Sequence, residues 1–254
     1  MVDVKAPIVL IHGLWLAPQS WRGWVDRYQA AGHVVHAPAW PDGPDVGITT
    51  AVDHFDGVIR NLPEPPIVMG HSMGGLITQI LLDRGLGRAG VAIQPSKPRG
   101  VLRASPSMIR SVWPFVRDPR NRRRAVGITA RHFHYVFANT VSRAESDRLH
   151  VRLAVPAPGR PIFEVTVADF MPKSRAPNVV DFAKHDRAPL LLIAGGRDNA
   201  MPGSVVYENF NRYRRSAAPT DFKVFRGRSH LMTVLDGWDD VADYALAWTT
   251  SHTG

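Results

Sequence analysis

The stretch of sequence that decides the fold reads Gly70-His71-Ser72-Met73-Gly74-Gly75, and the apolar run Pro66-Ile67-Val68-Met69 leads into it. The pattern Gly-x-Ser-x-Gly is typical of a sharp strand-to-helix turn that strains the serine backbone and exposes its hydroxyl. Such a turn closes only if the positions flanking the serine, Gly70 and Gly74, carry no side chain. Apolar residues at helical spacing follow over 73–84, so a helix should point its N-terminal amides at Ser72. The alternative is an ordinary turn with a capped helix.

The first apolar run of the chain is Ile8-Val9-Leu10-Ile11, which reads as a buried strand and ends in His12-Gly13-Leu14-Trp15. Gly13 permits a tight turn whose following amides point into a cleft. We expect the Leu14 and Met73 amides to form an oxyanion hole, with the Trp15 amide as the substitute for Leu14.

Strand and helix patterns alternate through both ends of the chain. Strands are predicted at 8–11, 33–37, 66–69, 90–94, 189–194 and 222–225, and helices at 20–31, 50–62, 73–84, 205–213 and 238–248. This alternation predicts an α/β fold with a mostly parallel sheet joined by right-handed crossovers. Ligands bind to such sheets beyond the carboxyl ends of the strands.

Two side chains in the second half follow predicted strands closely enough to join Ser72 at that edge. Asp198 lies just past the strand at 189–194, and His230 lies in a turn after the strand at 222–225. Asp198 could instead cap the helix that begins near Pro202, which is a common role for aspartate. His230 is the one histidine in the turn directly after the last predicted strand.

The segment 96–187 lacks the regular alternation and is too long for a loop. Helices are predicted at 106–116, 129–139 and 142–154, followed by an extended stretch at 161–167. We expect a mainly helical cap (96–187) over a core formed by 1–95 and 188–254. The substrate pocket is predicted to include four residues: Trp15, Trp40, His71 and Leu231.

The charge of the chain is concentrated in the same segment. The net charge is +9, and 96–187 contains 18 Lys or Arg against 7 Asp or Glu, so the remainder is close to neutral. Such basicity could attract nucleic acid, a membrane surface or an anionic substrate. No nucleic-acid motif accompanies it, so we favour a solvated arginine-rich face and expect no nucleic-acid partner.

Several classes of protein are excluded or disfavoured by composition. The absence of cysteine rules out disulfides, thiolate metal sites and a cysteine nucleophile. His132 and His134 lack acidic partners at ligand spacing, so no metal site is predicted. Residues 1–7 lack the layout of a signal peptide, and no apolar stretch approaches the roughly 20 residues that span a bilayer. A cytoplasmic protein is therefore expected.

The order Ser72, Asp198, His230 and the form Gly-His-Ser-Met-Gly-Gly make the sequence resemble the α/β-hydrolase superfamily, in its serine esterase and lipase branch. The resemblance covers 8–248. It implies a catalytic triad of these three residues, no cofactor, and a sheet of about six strands, because the chain begins at what would be the superfamily's third strand.

The function implied is hydrolysis of a moderately sized, fairly apolar carboxylic ester, lactone or thioester through an acyl-enzyme on Ser72. Two alternatives stay open. The same triad could serve acyl transfer, lyase or perhydrolase chemistry, or the fold could bind a ligand without turnover. The sequence leaves the oligomeric state open.

Overall fold

The computed structural model of the chain describes residues 5–253. Residues 1–4, on which part of the signal-peptide prediction depends, lie outside this range. The sheet that organises the fold has six parallel strands in the order β2-β1-β3-β4-β7-β8. These strands are β1 (Ile8–Ile11), β2 (Val35–His36), β3 (Ile67–His71), β4 (Ala89–Ile93), β7 (Leu190–Gly195) and β8 (Thr220–Phe225). The predicted α/β class and six-stranded parallel sheet are thus confirmed.

Helices cover both faces of the sheet because successive strand residues point to opposite sides. Ile8 and Leu10 pack toward one apolar cluster, while Val9 and Ile11 pack toward the other. The first cluster includes residues of α1 (Arg22–Ala30) and α9 (Trp238–Thr253), and the second includes residues of α2 (Ile48–Arg60), α3 (Met73–Asp83) and α8 (Gly203–Arg212). The central strands are therefore buried on both faces, as their unbroken apolar sequences predict.

Between β4 and β7 the chain forms a separate set of elements. These are α4 (Pro106–Val116), the short β5 (Ala125–Val126), α5 (Ala130–Val136), α6 (Arg143–Leu153), the short β6 (Ala157–Pro158) and α7 (Arg160–Val167), and β5 pairs antiparallel with β6. Three of these helices lie within a residue or a few of the predicted helices. The assignment of 96–187 as a cap domain stays a prediction.

The extended stretch predicted at 161–167 is wrong, because Arg160–Val167 is helix α7. The β-branched residues there favour a strand locally. Pro161 instead occupies the first turn of the helix, where its missing N–H costs nothing. Arg160 pairs with Glu164 one turn later, and Glu164 Oε2 accepts a hydrogen bond from the amide of Ile48 at 2.7 Å. Contacts to a distant helix thus override the local preference.

Other boundaries differ by at most three residues, with two exceptions. The strand predicted at 33–37 is reduced to Val35–His36, and the helix predicted at 238–248 extends to Thr253. Across residues 5–253, every helix is too short or too polar to cross a membrane.

Candidate active site

Ser72 occupies the turn between β3 and α3 in a strained backbone conformation. Its φ is 55° and its ψ is −116°, values that a residue with a side chain rarely adopts. Its amide donates to Ile93 O at 2.9 Å, and its carbonyl accepts from the Gly75 amide at 3.0 Å. A methyl group at position 70 would overlap the carbonyl oxygen of Gly74, which is why glycine is required there. The turn therefore has the shape that the sequence predicts.

Asp198 and His230 are joined by a short buried hydrogen bond. The Nδ1 atom of His230 lies 2.7 Å from Oδ2 of Asp198, and the two side chains are 2% and 0% exposed. The other oxygen, Oδ1, accepts from the amides of Ala200 and Met201 at 2.7 and 2.8 Å. Asp198 therefore orders the turn before α8 while it contacts the imidazole. It does not cap α8 itself, whose N-cap residue is Pro202.

The turn that carries His230 lies beside the turn that carries Ser72. The rings of His230 and His71, the residue before Ser72, have centroids 4.8 Å apart. Within residues 5–253, the Ser72 hydroxyl makes no hydrogen bond, either to His230 or to another group. Hydrogen bonds of this kind often become short only when substrate is bound. The structure thus joins Asp198 to His230 directly and places the ring of His230 against that of His71, the residue before Ser72.

The two amides predicted for an oxyanion hole belong to the loop after β1 and to the start of α3. Neither Leu14 nor Met73 donates its amide proton to another group in the described part of the chain. A Cβ atom at Gly13 would stand only 2.9 Å from Cβ of Ser72, so glycine lets this loop approach the serine closely. Trp15 has a φ of 61°, so this loop is also strained.

His12 begins that loop and is almost fully buried. Burial lowers the pKa of its imidazole to about 4, and the hydrogen bond to Gly13 O at 2.9 Å offsets this only in part. The imidazole is therefore uncharged at neutral pH, and it adds no positive charge beside the loop.

The predicted pocket residues separate into two groups. Trp15 and Trp40 line a cavity of about 410 Å³ next to the Leu14 loop. The indole nitrogen of Trp15 donates to Val126 O at 2.9 Å, and that of Trp40 donates to His12 O at 3.0 Å. His71 and Leu231 are 1% and 0% exposed and do not line this cavity.

One buried residue near the site has no signal in the sequence pattern. Gln94 follows β4 with a φ of 45°, and its side-chain amide donates to Ser229 O at 2.9 Å. A polar residue after an apolar strand is common, and Ser229 is far away along the chain. The sequence therefore gives no sign of this contact.

The described residues contain no group of three or more His, Asp or Glu side chains that could hold a metal ion. Of the two histidines considered for such a site, His132 directs its Nε2 atom to Ser111 O at 2.8 Å.

A parallel sheet of this order, with a serine in a strained strand-to-helix turn and a buried Asp–His pair beyond later strands, defines the α/β class of hydrolases. The chain belongs to the alpha/beta hydrolase family, whose model matches residues 8–244. None of the curated proteins compared with the sequence matches it.

Solved structures with the same fold include enzymes that act on esters. A methylesterase from Arabidopsis is 14% identical, with a TM-score of 0.70 over 97% of this chain and 99% of that chain. A monoacylglycerol lipase from Paleococcus ferrophilus is 18% identical, with a TM-score of 0.69 over 98% and 96%. Tomato methylketone synthase I, in complex with 2-tridecanone, is 15% identical, with a TM-score of 0.69 over 98% and 99%. At these identities the likeness shows the fold alone.

Proposed function

We propose that the protein is a serine hydrolase that cleaves a carboxylic ester, lactone or thioester through an acyl-enzyme on Ser72. The observation that carries the proposal is the buried 2.7 Å hydrogen bond between Asp198 and His230 beside a serine with a φ of 55°. An aspartate that fixes an imidazole next to a strained serine is the arrangement that turns a hydroxyl into a nucleophile.

Each step of the proposed reaction is assigned to one group. His230 accepts the hydroxyl proton of Ser72 at Nε2 as the oxygen attacks the ester carbonyl. Asp198 accepts a hydrogen bond from Nδ1–H of His230 and so fixes the tautomer and stabilises the imidazolium. The amides of Leu14 and Met73 donate to the oxyanion of the tetrahedral intermediate. His230 then protonates the leaving alcohol or thiol. Water next attacks the acyl-enzyme, with His230 again acting first as base and then as acid, and this step releases the acid and free Ser72.

The substrate class is proposed from the cavity next to the Leu14 loop. Its lining is dominated by apolar side chains such as Trp15 and Trp40; Asp42 is the one carboxylate among its residues, and the imidazole of His12 is uncharged at neutral pH. An anionic substrate would meet no positive charge there, so a neutral, apolar ester group fits best. The arginine-rich surface of 96–187 lies outside this cavity, and a cytoplasmic location for the protein stays a prediction.

The decisive test is labelling with a fluorophosphonate followed by identification of the modified residue. We expect labelling at Ser72, and we expect Ser72→Ala to abolish both labelling and turnover of p-nitrophenyl esters. Ser146→Ala is the matched control, because Ser146 is a fully buried serine on α6. Full ester turnover by Ser72→Ala would refute the proposal.

Two further measurements define the reaction. A panel of p-nitrophenyl esters with graded acyl chains, measured beside lactones, reports the acyl preference. Product analysis with competing alcohols, cyanohydrins and peroxide separates hydrolysis from acyl transfer, lyase and perhydrolase chemistry, which the same three residues could serve.

A further inference from the structure

The turn that carries His230 is held at four successive backbone positions by residues from other parts of the fold. The carbonyl of Arg228 accepts a hydrogen bond from the Arg197 amide at 2.9 Å, and the Leu231 amide donates to Phe137 O at 3.0 Å. Between them, the carbonyl of Ser229 accepts from Gln94 Nε2 at 2.9 Å, and the carbonyl of His230 accepts from His71 Nε2 at 2.7 Å. The turn therefore has little freedom to move its imidazole.

Two of these four hydrogen bonds come from side chains at the carboxyl ends of adjacent strands. His71 is the last residue of β3, and Gln94 follows β4, with which β3 pairs in register. Both side chains are buried, at 1% and 0% exposed, so water cannot replace the bonds. We propose that His71 and Gln94 are positioning residues that set the orientation of His230 toward Ser72 and Asp198. This inference rests on the proposed function.

The chemistry of His71 fits a fixed donor and does not fit a proton carrier. A carbonyl oxygen only accepts, so the Nε2 atom that contacts His230 O must carry a proton. The Nδ1 atom is buried and has no partner within residues 5–253. Burial holds the pKa of His71 well below its ordinary value, and the positive charge of a protonated His230 lowers it further. His71 therefore keeps one tautomer while His230 gains and loses its proton.

Gln94 makes its contact at the cost of backbone strain. Its φ of 45° is rare for a residue with a side chain, and its backbone N–H donates to Ile193 O at 2.7 Å. Gly195 leaves room for the side chain, because a methyl group there would overlap Gln94 Nε2. Strained residues persist where the surrounding structure holds them, and they cluster at functional sites. Here the strain directs an amide at the carbonyl next to His230.

The test compares variants that remove each donor with variants that keep it. His71→Leu and Gln94→Met remove the donors at similar volume, and His71→Gln keeps an amide nitrogen near the position of Nε2. His33→Leu is the matched control, because His33 is also buried and its Nδ1 atom contacts a carbonyl, Ala6 O, at 2.9 Å. This contact lies before the amino end of β1, at the opposite edge of the sheet from His230.

Two readouts are measured for each variant. The first is the low-field proton NMR signal of the His230 Nδ1–H···Asp198 hydrogen bond, which needs no turnover. The second is kcat and KM with a p-nitrophenyl ester. We expect His71→Leu and Gln94→Met to shift or broaden the signal and to lower kcat about 10- to 100-fold, with KM within about twofold, since misplacing a reacting group by about 1 Å costs roughly that much. His71→Gln should recover most of the loss, and His33→Leu should change neither readout.

The outcomes separate this inference from the proposed function. A folded His71→Leu or Gln94→Met variant with wild-type signal and wild-type kcat would overturn the positioning role while leaving the hydrolase intact. A wild-type protein that turns over no ester, but whose low-field signal is lost in His71→Leu and recovered in His71→Gln, would refute the hydrolase and retain the positioning role. If His71→Leu does not fold, the NMR signal and the kcat of Gln94→Met and His71→Gln test the positioning role in its place.

Discussion

Asp198 has two oxygens with separate tasks, so two substitutions at one position can distinguish catalysis from stability. In Asp198→Asn, the oxygen should stay where Oδ1 now accepts from the Ala200 and Met201 amides, which leaves the NH₂ group facing His230. An NH₂ group cannot accept the Nδ1 proton of His230, so the imidazole is forced into the tautomer that has a proton at Nε2. In that form His230 cannot accept the proton of Ser72.

The expected loss in kcat/KM is about 10³- to 10⁴-fold, or about 4 to 5.5 kcal/mol of transition-state stabilisation. The pair is almost completely buried, so water cannot supply an alternative acceptor. Asp198→Ala should lose as much activity and, in addition, both amide hydrogen bonds, at about 1 kcal/mol each. Its Tm should therefore fall by about 4 to 8 °C. The fall for Asp198→Asn should be less than half as large.

The assay is steady-state turnover of a p-nitrophenyl ester, with thermal unfolding followed on the same samples. Asp169→Asn is the matched control, because Asp169 likewise divides its oxygens between an amide, Gly100 N at 2.8 Å, and a charged partner, Lys97 Nζ at 2.8 Å. It should retain activity. Turnover by Asp198→Asn within about tenfold of the wild type would refute the tautomer argument.

Two further predictions concern stability. Gly70→Ala should destabilise the fold by about 1 to 3 kcal/mol or more, because the methyl group meets the carbonyl of Gly74. Gly57→Ala on α2, where a Cβ atom would meet nothing within 4 Å, should be neutral or stabilising. Equal unfolding midpoints of the Gly70→Ala and Gly57→Ala variants in urea would contradict this prediction. His12 alone should lower the free energy of unfolding by about 2 kcal/mol as the pH falls from about 8 to 5. Its pKa is about 4 in the folded chain and about 6.5 in the unfolded chain, so the unfolded chain binds the proton first as the pH falls. His71 acts in the same direction, and a flat pH profile in urea titrations would argue against both.

The parts of the fold that the sequence predicts are those whose cause is local. The elbow around Ser72 is predictable because two glycines, an apolar strand and a periodic helix stand next to one another. The central strands are predictable because burial on both faces requires unbroken apolar runs. The sequence of helix α7 favours an extended stretch instead, because β-branched residues are frequent in it. A proline in the first turn and an ion pair between Arg160 and Glu164 outweigh that local preference.

The parts of the candidate site that could not be predicted depend on contacts between distant segments. The strain at Trp15 and Gln94 is set by tertiary packing, and neither residue type favours a positive φ. His71 is predicted to line the pocket, and nothing in the sequence indicates that its ring contacts a carbonyl 159 positions away along the chain. Only the order of the strands brings these groups together.

The pairing of β4 with β7 has a consequence for how this enzyme family could diversify. Gly90 lies opposite Leu190, so the chain leaves the sheet and returns to it on strands that are hydrogen-bonded neighbours, about 4.8 Å apart. Because the two strands are parallel, a replacement for residues 96–187 would have to run from the carboxyl end of β4 back to the amino end of its neighbour β7. Loops and helices inserted there can thus be exchanged as a unit while the registers of all six strands remain fixed.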